Sequence, residues 1–150
     1  MAELKLVNKE EALLRVDNDK ELYEDLLSMF FDNPQFNPED LKKLIAEEQN
    51  EAAAKLVHLL KGISGTLGGE LLYTACQSLE DILRGKKAGD IAAGEEEVIS
   101  LFYKTSDELK RVRDSLYELI SALQKMCLKF SEQILQRLSF EMFLFSAAFS

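Results

Sequence analysis

Val98 to Phe130 reads VISLFYKTSDELKRVRDSLYELISALQKMCLKF, and its apolar positions fall at 98, 102, 105, 109, 112, 116, 119, 123, 126 and 130. The steps alternate between four and three, filled by Val, Phe, Thr, Leu, Val, Leu, Leu, Leu, Met and Phe. That spacing keeps returning to one face of an α-helix, so the stretch predicts one long amphipathic helix. A helix with a single apolar stripe needs partners. No β-like alternation of useful length occurs elsewhere, and no long internal repeat is visible, so the partners should be other helices in an antiparallel bundle.

Working toward the N-terminus, turn and cap residues mark out those partners. Gly85-Lys86-Lys87-Ala88-Gly89 reads as the turn before the long helix, and Gly68-Gly69 separates a helix over Leu71 to Arg84 from one carrying His58, for which Asn50 offers a cap. Asn37-Pro38-Glu39-Asp40 combines a capping side chain, a proline in the first turn and two acids near the positive end of a helix dipole. A helix should begin there and run to about Glu48. Asn18 or Asp19 can start another, ending near Asp32, with Leu22, Leu26, Met29 and Phe30 as its apolar set, and Asn8 with Glu11 is a plausible cap for a short first helix.

Composition removes several functional classes. The 150 residues suit one domain, and a net charge of -9 is the wrong footprint for nucleic acid, whose phosphates are held by clustered Lys and Arg. Cys76 and Cys127 form neither a CxxC pair nor a Cys/His cluster, so they read as reduced thiols, with no metal site expected. The start of the chain lacks the apolar core of a signal peptide, and no stretch is long and apolar enough for a membrane span. The expected setting is the cytoplasm, with membrane an unlikely partner.

His58 is the only histidine. At about 100° per residue, Leu56, Leu60, Ile63 and Leu67 share a core-facing stripe, and His58 falls nearly opposite it. The same projection places Ala54, Gly65 and Gly69 near His58, with Gly62 one turn along and Lys61 flanking. Each glycine inside a helix costs about 1 kcal/mol relative to alanine, a cost that makes sense where another protein approaches closely. A neutral imidazole is a nucleophile able to accept a phosphoryl group, and no acid stands one turn before or after His58 on its own helix. Lys61 would offset part of the added charge. No GxxxxGK[ST] loop or ATP site accompanies it, so no autokinase activity is expected and the phosphoryl group must come from a partner.

The run His58-x-x-Lys61-Gly62-x-Ser64-x-x-Leu67-Gly68 resembles the signature of histidine-containing phosphotransfer (HPt) domains. Leu72-x-x-x-Cys76-x-x-Leu79-Glu80 is similar to the family's following helix, and Leu22 to Leu27 with Pro38 to Leu41 fit its preceding ones. The resemblance covers about residues 8 to 120. It implies an all-α antiparallel four-helix bundle of the HPt type, here with a short N-terminal helical segment and a C-terminal helical extension. It also implies a phosphorelay intermediate of a multistep two-component system, with His58 as phosphoacceptor and donor and Lys61 stabilising phosphoryl charge. Gly62 would give clearance to a receiver domain, with Ala54, Lys55, Gly65, Gly69, Glu80 and Arg84 on the docking face. Ser64, Leu67 and Gly68 would be structural. The implied partners are response-regulator receiver domains and a hybrid histidine kinase. The chain itself needs no cofactor, because Mg2+ sits on the receiver. The alternative reading is a non-catalytic helical adaptor or scaffold docking on receivers, kinases or a membrane surface.

The two ends of the chain differ in character. Residues 1 to 120 carry 15 basic and 25 acidic side chains, whereas residues 121 to 150 carry three and two, with five of the nine phenylalanines. The expected division is a bundle over residues 1-123 and a Phe-rich amphipathic extension over 124-150, whose stripe runs on through Ile134, Leu138, Met142, Phe145 and Phe149. That surplus apolar surface should fold back as an extra helix, pair with a second copy through residues 124-150, or lie on a membrane, the first two favoured because basic residues are sparse.

Overall fold

The computed structural model describes residues 3–148. Six helices follow in order: α1 Lys9–Arg15, α2 Lys20–Asp32, α3 Pro38–Ala46, α4 Asn50–Leu67, α5 Glu70–Leu83 and α6 Ile91–Ala148. Local chemistry explains most of the boundaries. The side chains of Asn8, Asp19 and Asn37 accept hydrogen bonds from the backbone N–H groups of Glu11, Leu22 and Glu39, satisfying donors that a helix start leaves open.

Two boundaries differ from the sequence expectation. The cap of α4 is Gln49, which makes no side-chain cap bond, and Asn50 is already helical. The long helix begins at Ile91, ahead of Val98, where the Asp90 carboxylate accepts the N–H of Ala92 at 3.0 Å. Its first turns, Ala92-Ala93-Gly94-Glu95-Glu96-Glu97, carry almost no stripe, so periodicity alone misses them. Gly94 has a packing role there, since a Cβ would come within 2.9 Å of Leu79.

Residues Met1–Asp114 form one compact unit. Its core joins Leu41 of α3, Ala53, Ala54, Val57 and Leu60 of α4, Leu72, Cys76 and Leu79 of α5, and Val98 and Ile99 of α6. In α2 the buried residues are Tyr23 and Leu27, while Leu22 and Met29 of the expected apolar set are exposed. The inward position goes to the tyrosine because its hydroxyl has a buried acceptor, donating to the Leu67 carbonyl at 2.9 Å. Burial, with the nearby charge of Glu10, pushes the Tyr23 pKa up to about 12.

Gly68 ends α4 in the left-handed region at φ +86, where a Cβ would lie 2.5 Å from the Asn8 carbonyl oxygen. The Asn8 N–H in turn donates to the Gly68 carbonyl at 2.7 Å, so the start of α1 is stitched to the turn between α4 and α5. Glycine is required at this position by both backbone conformation and space.

Residues Ser115–Ser150 form a second unit. Its described part belongs to α6, and every residue from 122 to 148 is exposed. A separate fold-back helix, one of the three fates open to the tail, is not among the described elements, because α6 continues to Ala148 with no proline or turn to interrupt it. Phe149 of the expected stripe lies outside the described residues. No helix among the described residues is long and apolar enough to cross a membrane.

Candidate functional site

The Gly68-Gly69 turn sends α5 back along α4 and brings Glu80 beneath His58. The histidine side chain is 62% exposed and the glutamate side chain only 8%. Imidazole Nδ1 lies 2.9 Å from Glu80 Oε2 and 3.2 Å from Oε1. Lys61 Nζ donates to Glu80 Oε1 and to Gln77 Oε1, each at 2.9 Å, while Arg84 donates from Nε to Glu80 Oε2 at 3.3 Å and from Nη1 to Glu51 at 3.1 Å. One carboxylate thus accepts from an imidazole, an ammonium and a guanidinium.

Burial works to raise the Glu80 pKa, but the hydrogen bonds from Lys61 and His58, together with their charges, outweigh it and hold the carboxyl below its ordinary range. An ionised carboxylate can only accept. Nδ1 must therefore carry a proton, so in the neutral tautomer that fits this contact the lone pair lies on Nε2. The absence of an acid on α4 near His58 was legible in the sequence; the acid supplied by α5 was not.

A pH dependence follows from that depressed pKa. A carboxyl with a folded-state value below its unfolded value of about 4.5 stabilises the fold above that pH, and the contribution fades as pH falls through the folded value. The stability difference between the wild-type chain and Glu80→Gln is expected to shrink as pH drops below about 4.5 in denaturant titrations. A difference that stays constant into strong acid would contradict the ion-pair account.

The other candidate residues divide sharply. Lys55 and Gly62 are exposed beside His58, and nothing lies within 4 Å of where a Gly62 Cβ would stand. Ala54 is fully buried in the core cluster that joins α3, α4, α5 and α6, so it offers no docking surface. Gly65 faces α5 and α1, with a Cβ position 3.2 Å from Tyr73 and a carbonyl that accepts from Arg15. Gly69 is buried, its Cβ position 3.2 Å from Thr105 Cγ2. A helical projection cannot see that neighbouring helices cover α4 on more than one side. Glu80 lies under the imidazole instead of on a docking rim, and Arg84 joins it there, half-buried. Lys61 is engaged by Glu80 and Gln77, so its charge supports the carboxylate first. Ser64 and Leu67 are buried, with Ser64 Oγ donating to the Lys61 carbonyl at 2.9 Å. Cys76 is sealed in the core, and burial pushes its thiol up to about 12.

Beside His58 opens an apolar groove of about 700 Å³, lined by Met29, Phe31, Phe36, Leu59, Phe102 and Tyr103 and reaching Gly62. Phe36 and Phe102 meet at 4.9 Å, and the Arg113 guanidinium lies 4.6 Å from the Phe31 ring. That these aromatic residues meet in a groove beside His58 escaped sequence reasoning. The signal was Phe30-Phe31 and Phe36 bracketing Pro34, a cluster that reads as an ordinary ordered turn until α6 is laid beside it.

An open imidazole on a helical bundle is compatible with a histidine phosphotransfer module. The Hpt domain family model matches residues 25–126, well over half of the chain, and the chain belongs to that family. No curated protein and no solved structure matches it. Membership carries histidine phosphotransfer in phosphorelay signalling and interaction with receiver domains and kinases as the chain's general role.

Proposed function

We propose that this chain is a phosphorelay intermediate of a multistep two-component pathway in the cytoplasm, carrying the phosphoryl group on Nε2 of His58 between receiver aspartates. The observation that supports this best is the Nδ1 contact to Glu80 at 2.9 Å, which directs the ring's lone pair outward. In the forward step the Nε2 lone pair attacks phosphorus of a receiver's aspartyl phosphate. The N–P bond forms as the P–O bond to the aspartate breaks, and the carboxylate leaves with the bonding electrons. The ring becomes cationic while keeping its Nδ1 proton, and Glu80 balances that charge. In the return step a second aspartate attacks phosphorus and neutral imidazole leaves. Mg2+ is expected on the receiver, and the hybrid kinase feeds the pathway upstream.

Lys61 and Arg84 hold Glu80 in place, and Lys61 adds positive charge on the phosphoryl side of α4. The groove beside the ring is where the receiver's apolar docking surface would sit, with Gly62 allowing its backbone to come near. Incubation with a phosphorylated receiver tests the reading directly. An acid-labile, alkali-stable label on this chain, located on Nε2 by phosphorus NMR, is the expected result. Binding in the groove without label transfer would instead make the chain a helical adaptor.

The clearance role of Gly62 gives its own expectation. Because the site of the missing side chain is open space, Gly62→Leu should fold normally and stabilise α4 by about 0.5 to 1 kcal/mol. Transfer should nevertheless slow by roughly 10-fold in kcat/KM, since a bulky group would stand where the receiver docks. Unchanged stopped-flow kinetics would remove Gly62 from the docking face.

A further inference from the structure

We infer that residues 122–148 are a self-association surface whose occupant is the same segment of a second copy of this chain. All 27 of these residues are exposed, and at a rise of 1.5 Å each they extend for roughly 40 Å. Leu128, Phe130, Leu135, Leu138, Met142 and Phe143 are among the large apolar side chains, each more than half exposed. With the others in the segment they offer on the order of 1,000 Å² per copy, beyond the few hundred typical of a monomer's largest patch and above the roughly 800 Å² per partner of a stable interface.

The distribution of these groups selects the occupant. Phe140, Met142, Phe143, Leu144 and Phe145 project at about 0°, 200°, 300°, 40° and 140° around the axis, so apolar groups stand on all sides of this part of the helix, with Glu141 among them at about 100°. Such a helix is stable when surrounded by other helices. A helix lying on a lipid surface needs one apolar face and a basic opposite face. Here Lys125, Lys129 and Arg137 are interspersed with Glu132 and Glu141, which gives a net +1 over residues 121 to 150 against -10 over residues 1 to 120. For an acidic chain, the tail is the stretch along which two copies meet with least repulsion. The inference is independent of the chemistry at His58.

Light scattering on the full-length chain at about 10 to 100 μM should give a mass at least twice that of one chain. Leu128→Glu, Leu135→Glu and Met142→Glu together, spaced seven residues apart on one stripe, should return the mass to a single chain with the rate of label transfer per chain unchanged. On the unsubstituted protein, a short bismaleimide should join two copies through Cys127, the exposed thiol, because Cys76 is buried. A single-chain mass for the wild type, a triple variant that still associates, or wild-type chains that co-sediment with 3:1 phosphatidylcholine:phosphatidylserine vesicles and fail to cross-link would each overturn the assignment.

Discussion

A chain with His58→Gln is expected to take up no phosphoryl label from a phosphorylated receiver while still binding it. His58 is the only imidazole in the sequence, and Cys76, the nucleophile nearest to the same network, is buried with its thiol held protonated by its surroundings. The hydroxyls that line the groove, Thr66, Tyr103 and Ser106, are far weaker nucleophiles than an imidazole nitrogen unless a base activates them. The substitution should cost little stability, within about 1 kcal/mol, because the ring is 62% exposed and glutamine can still donate to Glu80. Calorimetric binding close to wild type, alongside complete loss of acid-labile label, would separate docking from chemistry. Residual label of the same lability in the variant would place the phosphoacceptor elsewhere.

The second large effect is expected at Glu80, a positioning residue that acts through the ring. Glu80→Gln preserves shape, but its amide can accept or donate, so it no longer enforces the tautomer with the proton on Nδ1. It also removes the negative charge that balances the phosphorylated ring. Rates of label uptake should fall by about 10- to 100-fold, the range found when a partner that orients a functional histidine is removed, with little change in receiver affinity because Glu80 is buried beneath the ring and does not line the groove. Nitrogen NMR of the imidazole should report a mixture of tautomers in the variant and one tautomer in the wild type. A full transfer rate with an unaltered tautomer would reduce Glu80 to a packing role.

Part of this molecule was readable before any coordinates. The caps at Asn8, Asp19 and Asn37 act within three residues, so sequence order is spatial order there. The outward direction of His58 followed from its angle to Leu60 and Leu67, since helix geometry fixes it. Where the reading failed, more than one helix was involved. Ala54 lies close to the angle of His58 yet is buried, because the core cluster built from α3, α4, α5 and α6 closes over it. Leu22 and Met29 have the spacing of a buried stripe, but Tyr23 and Leu27 take the inside, where the tyrosine hydroxyl finds the Leu67 carbonyl.

The amino-acid sequence by itself determined the helical class, the single histidine, its outward phase and the glycine beside it, because each depends on residues within a turn or two along one helix. Only the tertiary structure decided that Glu80, 22 residues away, accepts a hydrogen bond from Nδ1 and shares its charge with Lys61 and Arg84, and that aromatic residues from α2, α6 and the turn before α3 line a groove at the same ring. Those placements depend on how neighbouring helices are rotated and offset, a quantity set by the packing of the whole core and carried by no local pattern.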